Sequence, residues 1–412
     1  MIILFLTSGL LLGWSLGAND ASNIFGSAVG SKMISFRKAA VIASVFVIIG
    51  SVLQGEGASD TLGKLGSVNA IGGSFTVALA AGLTVYLMTK FAVPVSTSQA
   101  IVGAIIGWNL FSGNRTDTGT LTQIITTWIS GPLLGALFAI ALYMMIKAFK
   151  KNTSVHLFRF ESYIKTGLII VGAFGAYSLG ANNIANVMGV FVPAFDLQPL
   201  NLGIFSLNSG QQLFLLGGIA IAAGIITYSN RVMQVVGHNL MELSSDTAFV
   251  VVLSQALVLF IFSSSAFSSF IHSIGLPPFP LVPVSSTQVV IGSIIGIGLY
   301  KGSRNINFRI LGEIVVGWIA TPVISGITAF FLLFFVKNIF TIDVGRKTDI
   351  LINNGTQNII VQSGPRISEI MHYLILSLII VGIQAVILYY FLERKKRIEF
   401  HKSEEKFWQN IK

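Results

Sequence analysis

Long stretches of this chain carry no charge. Residues 247–300 contain no Asp, Glu, Lys or Arg, and 166–230 contain only Asp196. Residues 65–89, 91–114, 118–146, 314–336 and 370–392 are equally free of charge. About 20 apolar residues of helix cross the hydrocarbon core of a bilayer, and most of these runs reach that length. A soluble domain carries roughly 25% charged residues, whereas here charged residues make up 10% of 412 and hydrophobic ones 53%. The pattern predicts an all-α polytopic membrane protein. It excludes a soluble enzyme and a nucleic-acid-binding module. The absence of cysteine excludes a disulfide-stapled secreted domain.

The net charge of +10 is read first as topology, because Lys and Arg collect in cytoplasmic loops. Basic residues cluster at 32–38, 147–165, 301–309 and 394–412, with Arg231 nearly alone between them. Placing all of these inside puts 19 of the 26 basic residues in the cytoplasm. The N-terminus is then outside and the C-terminus inside, which needs an odd number of crossings. The first apolar run, Met1 to Gly17, has no basic residue before it. It leads straight into a polar motif, so it reads as a membrane helix rather than a signal peptide.

Two motifs each occur twice, in the same order. G-A-N-D-A-S-N-I-F-G at 17–26 is matched by G-A-N-N-I-A-N-V-M-G at 180–189. P-V-S-T-S-Q-A-I-V-G-A-I-I-G at 94–107 is matched by P-V-S-S-T-Q-V-V-I-G-S-I-I-G at 283–296, with eight of fourteen positions identical. A third echo follows, Trp128-Ile129 with Pro132 against Trp318-Ile319 with Pro322. The loop after the first copy of motif one (31–38) carries three basic residues, and its counterpart at 194–210 carries none. After motif two the bias reverses: 112–118 has one Arg, and 301–309 has three basic residues. Corresponding loops therefore fall on opposite sides of the membrane, the mark of an inverted-topology repeat of the kind found in secondary transporters.

This predicts a first inverted repeat over 1–149 and a basic cytoplasmic linker over 150–162. A second repeat covers 163–336, an extracytoplasmic loop 337–367, a final transmembrane helix 368–392, and a basic tail 393–412. Crossings are expected near 2–30 (broken), 38–54, 119–149, 163–193 (broken), 211–229, 306–336 and 368–392. Segments 70–110 and 246–299 read as two re-entrant hairpins with motif two at their tips. Runs of about 30 residues containing Gly or Pro invite splitting, and 230–245 reads as a cytoplasmic amphipathic helix.

Motif one sets Asn19, Asp20 and Asn23 between apolar arms. An ionisable side chain at bilayer depth is costly and faces a polar cavity, and unwound backbone there is tolerated only where it lines one. Carboxamides and free carbonyls suit a hard cation such as sodium, and Asp20 adds compensating charge. The alternative is a glycine kink whose polar side chains bond across helices. In motif two, proline interrupts the helix and a hydroxyl caps the one behind it. Two capped N-termini, bearing Ser96, Thr97 and Ser98 or Ser285, Ser286 and Thr287, can surround a tetrahedral oxyanion. The alternative is a capped buried helix without a ligand.

At these residues the chain resembles the inorganic phosphate transporter family, through G-A-N-D-A-S-N-I-F-G-S-A-V-G-S-K at 17–32 and the two P-V-S hairpin tips. The similarity runs through both halves. It implies cation-coupled phosphate uptake in the plasma (cell inner) membrane, a substrate site between the halves, and a homodimer in the lipid bilayer. Carried over position by position, phosphate would meet Asn19, Asp20, Ser96, Thr97, Ser98, Asn182, Asn183, Ser285, Ser286 and Thr287. The cation would be held by Asp20, Asn23, Gln99, Asn183, Asn186 and Gln288. Asn183 stands where many members carry a second Asp, which lowers the negative charge available to cations. Gln99 and Gln288 replace the His of some proton-coupled relatives, and an amide cannot relay a proton as His can. The expectation is therefore a phosphate symporter with sodium as the transported cation and no resident cofactor.

Three rivals remain: proton-coupled phosphate transport, a sulfate permease of the same build, and, more remotely, an anion channel. Sulfate is tetrahedral too, but HPO4 brings a proton that an acceptor such as Asp20 can receive. The five His are scattered, with no H-E-x-x-H or G-x-S-x-G to support an intramembrane enzyme.

Overall fold

A computed structural model describes residues 2–20, 22–30, 32–66, 68–90, 95–153, 156–201, 203, 205–230, 233, 244–302, 308–345, 352–353 and 356–357. The final helix expected at 368–392 and the tail at 393–412 lie outside the described residues, as does most of the amphipathic segment 230–245. The described residues are mostly helical. The first half holds α1 (Ile2–Asn19), α2 (Ser22–Gly30), α3 (Phe36–Gln54), α4 (Glu56–Leu65), α5 (Ile71–Lys90), α6 (Thr97–Ser112) and α7 (Thr118–Asn152). The second holds α8 (Leu157–Met188), α9 (Ser209–Thr227), α10 (Ser245–Ile261), α11 (Ser265–Ser273), α12 (Ser286–Tyr300) and α13 (Phe308–Ile339). Two hairpins of two-residue strands, at 200–207 and 352–357, are the described β-structure.

Among the described residues six helices are long and apolar enough to cross a membrane, and a seventh span is available if α10 and α11, bent by 72°, count as one. This is a multi-pass membrane protein. Of the expected hairpins, α5 is itself 20 residues long and reaches span length. Its partner α6 starts behind the Ser96 cap, which accepts from the Gln99 N–H at 3.2 Å. Ser285 repeats this cap on α12, accepting from the Gln288 N–H at the same distance.

One sequence expectation is corrected. The second broken helix, expected over 163–193, is one continuous helix from Leu157 to Met188. Here the Asn side chains find partners from within regular helix, so nothing pulls the backbone open. Pro132 and Pro322 lie inside α7 and α13 without splitting them. Membrane helices tolerate such prolines, because neighbouring helices and local adjustments satisfy the freed backbone groups.

The halves interlock by exchanging partners. α6 of the first half packs on α13 of the second, and α12 of the second packs on α7 of the first. Likewise α3 packs on α8, and α9 on α1. In a bilayer such contacts rest on small residues that let backbones close up. A methyl group on Gly103 would overlap the carbonyl of Pro322, and one on Gly292 would overlap that of Pro132. The same close fit sets Gly17 on Ile221 and Gly180 on Val47. Lys147 lies 5.5 Å from the centre of the Tyr300 ring, and Lys337 lies 5.5 Å from that of Phe111. Residues 121–130 of α7 and 311–320 of α13 share one pattern of exposed, half-buried and buried positions, residue for residue.

Candidate functional site

α1 ends at Asn19 and α2 restarts at Ser22, leaving Asp20 in the break. Its N–H still reaches the Leu16 carbonyl at 2.7 Å, and its carbonyl accepts from the Asn23 N–H at 3.1 Å. The Ser22 hydroxyl donates to the Asn19 carbonyl. Backbone groups freed by the break thus find local partners, as buried polar groups must. The Asp20 side chain is 2% exposed, and it is the one carboxylate among the buried side chains of the described residues.

That carboxylate bridges the capped starts of α6 and α12, the two copies of motif two, called tips below. The Thr97 hydroxyl donates to one oxygen at 3.0 Å, and the Thr287 hydroxyl reaches the other at 3.3 Å. Thr287 also lies 3.0 Å from the Val95 carbonyl and accepts from the Asn23 amide at 3.0 Å. A hydroxyl has one proton, so Thr287 serves Asp20 or Val95, not both at once. Ser286 faces the same carboxylate without closing a hydrogen bond.

The second copy of motif one grips the tips from α8. Asn182 donates to the Val282 carbonyl at 2.9 Å and accepts from the Val284 N–H at 2.7 Å. Both ends of this amide are committed to the extended segment before the second tip. Asn186 donates to Ser98 at 2.8 Å and to the Asn183 carbonyl oxygen at 3.0 Å. Ser98 in turn donates to the Val284 carbonyl at 3.3 Å. Asn19 donates to Thr89 at 2.8 Å.

All fourteen residues singled out in the sequence are buried. Four of their carbonyl oxygens have no partner: Oδ1 of Asn19 and Asn186, and Oε1 of Gln99 and Gln288. Leaving such a group unsatisfied costs about 1–3 kcal/mol, and amide oxygens are the ligands a hard cation prefers. Together with the Asp20 carboxylate, these are oxygens of the kind a monovalent cation takes as ligands. Among the described residues no group of three or more His, Cys, Asp or Glu comes together. Ser96 and Ser285 are already occupied as helix caps. Thr89 and the backbone of Val95, Val282 and Val284 were not anticipated; Thr89 alone carried a signal, as the last uncharged polar side chain before the first tip. Gln255, in the charge-free run of α10, is buried with neither end of its amide partnered.

A polytopic helical bundle that closes a broken helix and two capped helix ends around one buried carboxylate has the build of a membrane transporter. The phosphate transporter family model matches residues 16–329, and the chain belongs to that family. Its members are transporters, not enzymes. A protein of Thermococcus kodakarensis, provisionally named a phosphate permease, is 26% identical over 405 residues, covering 80% of this chain and 96% of the relative. One of Methanocaldococcus jannaschii, named in the same way, is 28% identical over 317 residues, covering 77% and 92%. The solved structure of a sodium-dependent phosphate transporter shares the fold, with a TM-score of 0.67 at 22% identity, covering 82% of this chain and 99% of that one.

Proposed function

We propose that this chain is a secondary symporter that imports inorganic phosphate together with sodium, the two ions meeting at Asp20 between the hairpin tips. The single observation that carries the reading is the Asp20 bridge, with one hydroxyl from each half on its two oxygens. The donors of a tetrahedral anion site and the acceptors of a cation site converge there. Thr97, Ser98, Ser286 and Thr287 supply hydroxyls toward phosphate. Asp20, Asn23, Gln99, Asn183, Asn186 and Gln288 supply cation ligands.

Electrostatics explains why the ions would be coupled. A dianion about 5 Å from a carboxylate, at an effective dielectric of about 20, is repelled by roughly 6–7 kcal/mol. A cation on the unpartnered amide oxygens offsets that repulsion, so each ion favours the binding of the other. HPO4 can also donate its proton to a carboxylate, which sulfate cannot do. Asn182 departs from its expected substrate role: with both ends bound to backbone, it is proposed instead to hold the second tip in place. The exchanged packing of residues 1–149 and 163–336 supports two inverted halves, and the clustering of basic residues is the support for an N-terminus outside. The sodium-dependent neighbour agrees with the choice of cation.

The test is uptake of labelled phosphate into proteoliposomes under an imposed sodium gradient. Uptake should require sodium and withstand excess sulfate. Uptake indifferent to sodium but abolished by a protonophore would replace sodium with protons as the coupling ion.

A further inference from the structure

A groove of about 610 Å³ lies along the N-terminal half of α7, and none of the clasp residues lines it. Its floor is a stripe of hydroxyls at helical spacing, Thr118, Thr122, Thr126 and Ser130, and its far wall is Phe262 and Phe279. One residue round the helix, Ile125, Ile129, Leu133 and Leu137 form an exposed apolar stripe of the kind that faces lipid. α7 therefore presents two chemically different faces at the same depth.

The repeat supplies a control. At the matching positions of α13, Thr122, Gln123, Thr126 and Ser130 are replaced by Gly312, Glu313, Val316 and Ala320, although the exposure pattern is the same. The hydroxyl stripe is thus not a by-product of the fold. Two of its four hydroxyls have their protons engaged along the helix, since Thr122 donates to the Thr118 carbonyl and Thr126 to the Thr122 carbonyl, each at 2.7 Å. These two turn lone pairs to the groove, which the Gln123 amide also lines. Such a lining hydrogen-bonds water readily and, among the described residues, holds no cationic side chain to trap an oxyanion that passes.

The groove shares a wall with the clasp. Phe262 and Phe279 meet edge to face, with ring centres 6.1 Å apart. The Phe262 carbonyl accepts from the Val282 N–H at 3.3 Å. Val282 and Val284 are the residues that Asn182 and Ser98 hold from the other side. We propose that this groove is a water-filled access route for phosphate, separated from the clasp in this conformation by the Phe262–Phe279 pair and the extended segment behind it. The route rests on the transport reading above.

The chain has no native cysteine, so single cysteines report without background. Thr126→Cys and Ile129→Cys are compared in proteoliposomes, with a charged methanethiosulfonate added to both sides. The thiolate is the reactive form, and each pKa unit of desolvation removes about tenfold of it. Thr126→Cys should therefore react at least about tenfold faster than Ile129→Cys, and its modification should cut phosphate uptake several-fold. In a Phe279→Ala background, Ser98→Cys should gain reactivity several-fold. Equally slow reaction at 126 and 129 would mean a lipid-filled crevice and overturn the proposal. So would full modification at 126 with uptake undiminished, or no gain at 98. A chain that never takes up phosphate would fail the transport reading, and the route with it, even with the 126/129 ratio intact.

Discussion

Gly103 on α6 lies directly against the carbonyl of Pro322 on α13, close enough that no side chain fits between them. Gly292 and Pro132 repeat the arrangement with the halves exchanged. Replacing glycine by alanine inside an exposed helix usually stabilises it by about 0.5–1 kcal/mol. Here the sign should reverse. Gly103→Ala and Gly292→Ala should each lower the melting temperature of the purified protein, followed by tryptophan fluorescence. Gly63→Ala in α4, where the added methyl meets no atom within 4 Å, should leave it unchanged or raise it. Equal melting of all three would mean that the helices have slack.

Asp20→Asn keeps the shape and much of the hydrogen bonding of the bridge but removes its charge. It should reduce sodium-driven uptake by about 100-fold, equivalent to roughly 2.7 kcal/mol, with little change in melting. Sodium should no longer raise the apparent affinity for phosphate. Full activity in this variant would remove Asp20 from the coupling.

Thr287→Val and Thr287→Ser separate hydroxyl from shape. The hydroxyl reaches Asp20 and Val95 and accepts from Asn23, so valine should depress uptake far more than serine. Comparable uptake in both would make the contact incidental.

Asn182→Leu strips two backbone groups of their partners, at about 1–3 kcal/mol for each one left buried. If Asn182 positions the tip, transport rate and melting temperature should fall together while affinity for sodium is retained. A rise in KM for phosphate, with rate and melting preserved, would return Asn182 to the substrate.

Asp117 caps α7 by accepting from the Thr120 N–H at 2.6 Å. The Thr120 hydroxyl and backbone N–H hold its carboxyl below the usual carboxylate range. A carboxyl depressed in the folded state stabilises above its unfolded pKa, and that contribution is lost as pH falls through the folded value. Asp117→Ala should therefore melt earlier than the parent at neutral pH, and the gap should narrow in acid. A gap independent of pH would point to packing.

The parts of this architecture legible in the sequence are those that leave a residue-level signature. The caps at Ser96 and Ser285 are local, spanning three residues to Gln99 and Gln288. The meeting of Asp20 with Thr97 and Thr287 spans 77 and 267 positions, yet duplication of both motifs pointed to it. Asn182 was read as a ligand because its partners are the backbone of Val282 and Val284, and backbone groups carry no residue identity. The continuity of α8 was hidden for a related reason. Gly-Ala-Asn opens α1 but not α8, and tertiary partners decide which. At Asp20 they are hydroxyls from both tips; at Asn183 and Asn186 they lie within the helix or on Ser98.

The fit of Gly103 on Pro322 also orders events at the ribosome. α6 is complete at residue 112, but the helix that fills its glycine face ends at residue 339. At about 5–20 residues per second, the first half waits in the membrane for roughly 10–50 s with that face uncovered. Until the second half is threaded in, Thr97 and Thr287 cannot share a carboxylate. Half-made chains are therefore inserted without a working site, and they depend on lipid or on the insertion machinery to shield the gap.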